Sequence, residues 1–95
     1  MRQISFRLLL IDADRDRREL LTSLLTCRGG DVVSAGTVKE ALKQLETMPL
    51  PSMIVLEILP LAPECTAFLE RLKKDPGLSR IPVFDIEEVR TLVVR

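Results

Sequence analysis

Three carboxylates stand where this chain could do chemistry. Asp12 follows the apolar run Phe6–Ile11, Glu57 follows Met53–Leu56, and Glu87 follows Ile81–Ile86. A carboxylate is a hard oxygen donor for a divalent cation and a poor neighbour for phosphate. Asp12 suits two roles equally, a hydrogen bond across its own loop or a metal ligand. Asp14 and Asp16 fit a helix start, where acidic side chains complement the dipole. Arg15, Arg17 and Arg18 read as a solvated helix face, with Arg15 near enough in sequence to neutralise an acidic crevice. Cys65 falls on an apolar helical stripe, which predicts packing, and Cys27 near a helix end is expected to be inert.

Other chemistries are excluded by what the chain lacks. Histidine is absent, which removes the commonest general base and zinc ligand and every Ser-His arrangement. Tyr and Trp are absent, so base-stacking platforms are not expected from Phe6, Phe68 and Phe84 alone. No glycine-rich phosphate loop follows the first apolar run, where Asp12-Ala13-Asp14 would repel phosphate, which counts against a nucleotide or flavin binder.

The elements that must position the three acids alternate along the chain. Phe6–Ile11 is nearly continuously apolar, as in a strand covered on both faces. Asp14 offers an N-cap. Leu20, Leu21, Leu24 and Leu25 then recur at helical spacing until Gly29-Gly30 stops the helix. Asp31–Ala35 reads as a second strand. Thr37 and Glu40 form a capping box ahead of the stripe Val38, Ala41, Leu42, Leu45, and Pro49 and Pro51 close that helix. Met53–Leu56 is a third strand. Cys65, Phe68, Leu69 and Leu72 mark a third helix, which ends at Asp75-Pro76-Gly77. Ile81–Ile86 is predicted as a fourth strand, with Pro82 tolerable at its start. From Glu87 onward two readings stay open. Val89, Leu92 and Val93 fit a helical stripe, and Thr91–Val94 fits a strand.

This order predicts an α/β sandwich with a parallel sheet and helices on both faces. Its crevice should lie at the carboxyl ends of the strands, where the three acids sit. Residues 1–95 make one domain, with 46% hydrophobic and 29% charged residues, too apolar for a disordered chain. Lys plus Arg and Asp plus Glu each count 14, and the resulting zero net charge counts against nucleic acid or a membrane surface as partner. No apolar run is long enough to span a bilayer, and no signal peptide is visible. Two cysteines are too few for a disulfide scaffold, so a reduced, cytoplasmic setting is expected.

The sequence resembles the receiver domain of response regulators. The likeness is carried by Leu8-Leu-Leu-Ile-Asp12-Ala13-Asp14, Arg18-Glu-Leu-Leu21, Pro51-Ser-Met-Ile-Val-Leu-Glu57, Phe68-Leu-Glu-Arg-Leu-Lys73, Asp75-Pro76 and Ile81-Pro82-Val83, and runs from about Arg7 to Ile86. It implies a flavodoxin-like three-layer sandwich with a parallel sheet of four to five strands in the order 2-1-3-4(-5). The last strand and helix of that fold are expected to be missing or shortened. It also implies a site of two adjacent acids holding magnesium, a phosphoacceptor Asp, a Thr or Ser ending the fourth strand, and a Lys ending the fifth. On this chain those positions carry Asp12, then Ala13, then Glu57, then Glu87, and no fifth-strand Lys can be placed. Leu61 and Cys65 stand where a Pro and a Gly are usual, with Pro60 one residue earlier.

Each departure weakens phosphotransfer. Glu57 extends one methylene beyond Asp, and in-line transfer tolerates little misplacement. Ala13 removes a magnesium ligand. Glu87 replaces a hydroxyl donor with an acceptor-only anion. As a mimic of phospho-Asp, Glu57 carries less charge and fewer acceptor oxygens, and Glu87 cannot answer its pull. The expected function is therefore that of a pseudo-receiver, a non-enzymatic module of two-component or phosphorelay signalling that acts through protein–protein contacts. The alternative is a functional receiver that binds Mg2+ at Asp12 and Glu57 and accepts a phosphoryl group from a histidine kinase. No cofactor is expected, and magnesium only weakly. The expected partner is another protein or a second copy, through Val83, Phe84, Ile86, Val89, Leu92 and Val93. Either a tail strand or an uncovered fourth strand would follow from the two readings of residues 87–95, and the uncovered edge would favour a dimer.

Overall fold

The computed structural model describes residues 6–57 and 62–94, the last two by backbone alone. Its centre is the first strand, β1 (Phe6–Ile11), whose four last residues are all buried. Side chains alternate across a strand, so Leu8 and Leu10 enter one apolar layer while Leu9 and Ile11 enter the other. A run of leucines is therefore what a two-faced strand needs. β1 pairs in parallel with β2 (Gly30–Ala35) and with β3 (Met53–Leu56), and β3 pairs in parallel with β4 (Val83–Asp85). The strand order is β2-β1-β3-β4, the order the resemblance implies for four strands.

Parallel neighbours require crossovers, and here each is a helix. In α1 (Arg15–Cys27), Asp14 caps the first turn, its carboxylate accepting from the Arg17 N–H at 3.0 Å. Leu21 and Leu25 bury the inner face. The helix ends where the sequence predicts. Gly29 adopts φ 90°, a left-handed backbone that most side chains resist. Gly30 is needed for a different reason, since a Cβ there would lie 2.6 Å from the Phe6 ring and 2.9 Å from the Leu25 carbonyl oxygen. In α2 (Val38–Thr47), Thr37 caps the Glu40 N–H at 3.1 Å. Glu40 reaches back to the Gly36 N–H, one residue before the cap. α3 (Pro63–Lys74) starts on proline, whose missing N–H costs nothing at a helix start. Asp75 ends it and accepts from the Gly77 N–H.

α2 and α3 cover one face of the sheet around Leu9, Ile11, Ile54, Leu56 and Phe68. The other face carries α1 and α4 (Ile86–Val94) around Leu8, Leu10, Leu21, Val55 and Ile86. This makes the three-layer sandwich.

The structure corrects the C-terminal reading. The fourth strand is shorter than Ile81–Ile86 and runs only from Val83 to Asp85. Ile81 packs in the turn before it, and pairing begins with the Ile54 N–H on the Pro82 carbonyl. Of the two tail readings the helix holds, and Thr91–Val94 forms no strand. Proline explains the start, and the stripe of Ile86 and Val89 on α1 explains the end. Two residues expected on an uncovered surface, Ile86 and Val89, are instead core, with Ile86 at 0% exposure. Phe84 and Leu92 are exposed as expected. Val83 is half-buried against the α2–α3 side of the core. The Val93 side chain lies outside the described residues, as do Pro60 and Leu61.

Candidate functional site

Asp12, just past the end of β1, is a charged residue 2% exposed. A buried carboxylate has to be paired and hydrogen-bonded. The Asp14 N–H donates to Oδ1 at 3.0 Å. The decisive partner comes from α1. Arg17 donates from Nε to Oδ2 at 2.6 Å and from Nη2 to Oδ1 at 2.7 Å, a two-pronged grip on both oxygens. The same Nη2 donates to Glu57 Oε2 at 2.8 Å, at the end of β3. Nη1 lies 3.6 Å from Glu87 Oε1, in the first turn of α4. All three guanidinium nitrogens are thus engaged by acids from three separate elements. The hydrogen bond to Asp12 is the largest influence on Arg17. Burial works against it, and the hydrogen bond to Glu57 adds to it. Together they hold the guanidinium well above its ordinary range.

The neighbouring arginines divide the remaining work. Arg18 donates from Nη1 to the Asp12 carbonyl oxygen at 2.7 Å. Arg15, the residue expected to neutralise the crevice, instead pairs with Glu19 at 3.2 Å on the exposed face of α1. Arg17 takes its place, and Arg17 and Arg18 are not the plain solvated face their spacing predicts. The reason is helical geometry. Asp12 lies one turn before the helix, beneath the side chain three residues past the Asp14 cap. Glu87 is not a strand-end residue, because β4 stops at Asp85, yet α4 follows at once and carries it to the same crevice. Glu87 also pairs with Arg90 at 3.3 Å.

Beside these acids a cleft of about 290 Å3 opens between the starts of α2 and α3, lined by Asp12, Ala13, Thr37, Lys39, Glu57, Glu64 and Cys65 among others. Cys65 is partly buried and packs against the core, its Sγ 3.8 Å from the Glu57 carbonyl oxygen. Cys27 is exposed.

The magnesium that the resemblance implies can be tested against this geometry. Both Asp12 oxygens are committed to Arg17, position 13 offers a methyl group, and a guanidinium stands against Glu57. Among the described residues no group of three acids, thiols or imidazoles is placed to hold a metal ion. Magnesium demands near-ideal octahedral oxygen geometry, and this donor set does not fit it.

No family model and no curated protein matches the chain by sequence. Solved structures do match. The N-terminal domain of a response regulator receiver protein from Methanoculleus marisnigri superposes with a TM-score of 0.74 at 26% identity, over 85% of this chain and 65% of that one. A putative response regulator from Chloroflexus aurantiacus gives 0.73 at 25% identity, over 84% of this chain and 65% of that one. The signal receiver domain of a histidine kinase from Syntrophus aciditrophicus gives 0.72 at 23% identity, which speaks for the fold alone. The chain spans just under two thirds of the length of the first two. With β2-β1-β3-β4 order, helices on both faces and its acids gathered at the carboxyl ends of the strands, the chain has the fold of the response-regulator receiver domains it resembles.

Proposed function

We propose that the chain is a pseudo-receiver, a module of two-component signalling that takes no phosphoryl group at Glu57 and works through protein–protein contacts. The observation that carries this reading is the Arg17 guanidinium held on Asp12 and Glu57. A phosphoryl donor would meet a carboxylate one methylene too long, already hydrogen-bonded. It would find Ala13 where a second magnesium ligand should stand and the anion of Glu87 where a hydroxyl should donate. The module is not an enzyme and needs no metal cofactor. Its setting is the cytoplasm, where histidine kinases present their signalling surfaces. Among the described residues no helix is long and apolar enough to cross a membrane.

Contacts are made on the face opposite the acidic cleft's helices α2 and α3. There an apolar groove of about 290 Å3 is lined by Phe6, Leu8, Leu25, Met53, Phe84, Val89 and Leu92, with Arg28 at its rim. The partner is a histidine kinase or a second copy of the chain.

Incubation with acetyl phosphate and magnesium, followed by intact-mass measurement, tests the reading. The mass is expected to stay unchanged. A stoichiometric phosphoryl increment, lost on mild base treatment, would overturn it and favour a functional receiver.

A further inference from the structure

We propose that Arg17 is a tethered cation that positions helix α4 on the sheet. Three acids from three elements meet one guanidinium: Asp12 after β1, Glu57 after β3 and Glu87 in the first turn of α4. Two of these acids directly follow strands of the sheet, Asp12 after β1 and Glu57 after β3. The third belongs to a helix that joins β4 without an intervening loop. The anchoring is unequal. Arg17 is fixed by two short bonds to a buried carboxylate, so its outer nitrogen reaches α4 from a side chain already ordered. The ordering cost that weakens most exposed ion pairs is therefore largely met by the Asp12 contact. Burial of Ile86 and Val89 holds α4 to the sheet in the direction of the core. That apolar contact is non-directional. Arg17 adds a fixed point at the helix start, between Glu87 and the end of β3. This deepens the pseudo-receiver reading: the cleft's positive charge is supplied by the chain itself and acts on α4.

Hydrogen exchange in α4 tests the proposal in the full chain. Arg17→Ala strips the buried Asp12 carboxylate of its partner as well as α4 of its anchor, so it should speed exchange in β1 and β3 along with α4. Guanidinium chloride at about 10 mM, far too dilute to denature, should restore the protection of Arg17→Ala by filling the emptied place, and sodium chloride of equal ionic strength should not. Arg17→Lys should restore it in part, since one ammonium cannot span three acids. Glu87→Gln keeps the Asp12 contact but cuts both the arm to Arg17 and the pair with Arg90. Compared with Arg90→Gln, which cuts only that pair, it should speed exchange of the first-turn amides of α4 by up to about fivefold, the upper range for an exposed pair, with β1 and β3 little changed, even if Arg17→Ala fails to fold. Exchange of α4 in Glu87→Gln no faster than in Arg90→Gln, or equal restoration by sodium chloride, would overturn the proposal. Either result would leave the phosphorylation outcome untouched. A phosphorylated wild-type chain would overturn the pseudo-receiver reading without altering the exchange result.

Discussion

At the scale of single residues, the energetics turn on a charge that cannot be left alone. Asp12 is buried and Arg17 is its partner, 20% exposed at the side chain. Removing one member of such a pair costs about 3–5 kcal/mol, because the other charge stays buried and uncompensated. The arm to Glu87, half in solvent, is worth about 0–1 kcal/mol. Alkaline titration should not open the bridge. A cation whose folded-state pKa is raised contributes its stability fully below its ordinary pKa, so the contribution of Arg17 is present throughout the ordinary pH range. Magnesium has to compete with this guanidinium. The melting temperature is therefore expected to stay flat through submillimolar magnesium, and a clear rise abolished by Asp12→Ala would contradict that. The acids of this site were legible in the sequence because they end apolar runs. Arg17 was not, since three arginines within four positions look alike until the helix phase and the place of Asp12 are both known. The capping Asp14 carried the available signal: it starts the helix and so fixes which arginine turns inward.

At the scale of elements, α1 is the part on which the site depends, and its start is set by Asp14. Asp14→Ala removes the acceptor for the Arg17 N–H and should lower stability by about 1 kcal/mol, the usual cost of losing a cap. Urea denaturation would measure this as a lower midpoint at unchanged slope. A midpoint equal to wild type would mean that the helix start is fixed by the arginine contacts alone. β1 and β3 could be read directly, because burial on both faces leaves a continuous apolar signature that few other elements share. β4 and α4 could not. Val83, Phe84 and Ile86 have strand-like side chains, and Val89, Leu92 and Val93 satisfy two periods at once. Tertiary packing decided: Ile86 turns into the α1 layer as the first residue of a helix, so the strand stops at Asp85.

At the scale of the molecule, the balanced charges and the apolar groove act together. With 14 basic and 14 acidic residues there is no net repulsion between copies. Phe84 and Leu92 are 38% and 62% exposed beside the groove, and among the described residues β4 is an edge strand. Edges of this kind invite pairing. The chain is expected to self-associate, with sedimentation shifting toward dimer from micromolar to millimolar concentration and Phe84→Asp returning it to monomer. One monomeric species across that range would remove this expectation. The bridge on Asp12 bears also on how the molecule comes together. Arg17 is 5 residues from Asp12 in sequence but 40 from Glu57. Closing the shorter loop costs little chain entropy, and one turn of α1 is enough to form the contact. The carboxylate can thus acquire its counter-charge while still in water, before β3 docks and seals it, so the folding chain has a route on which it never buries a naked charge.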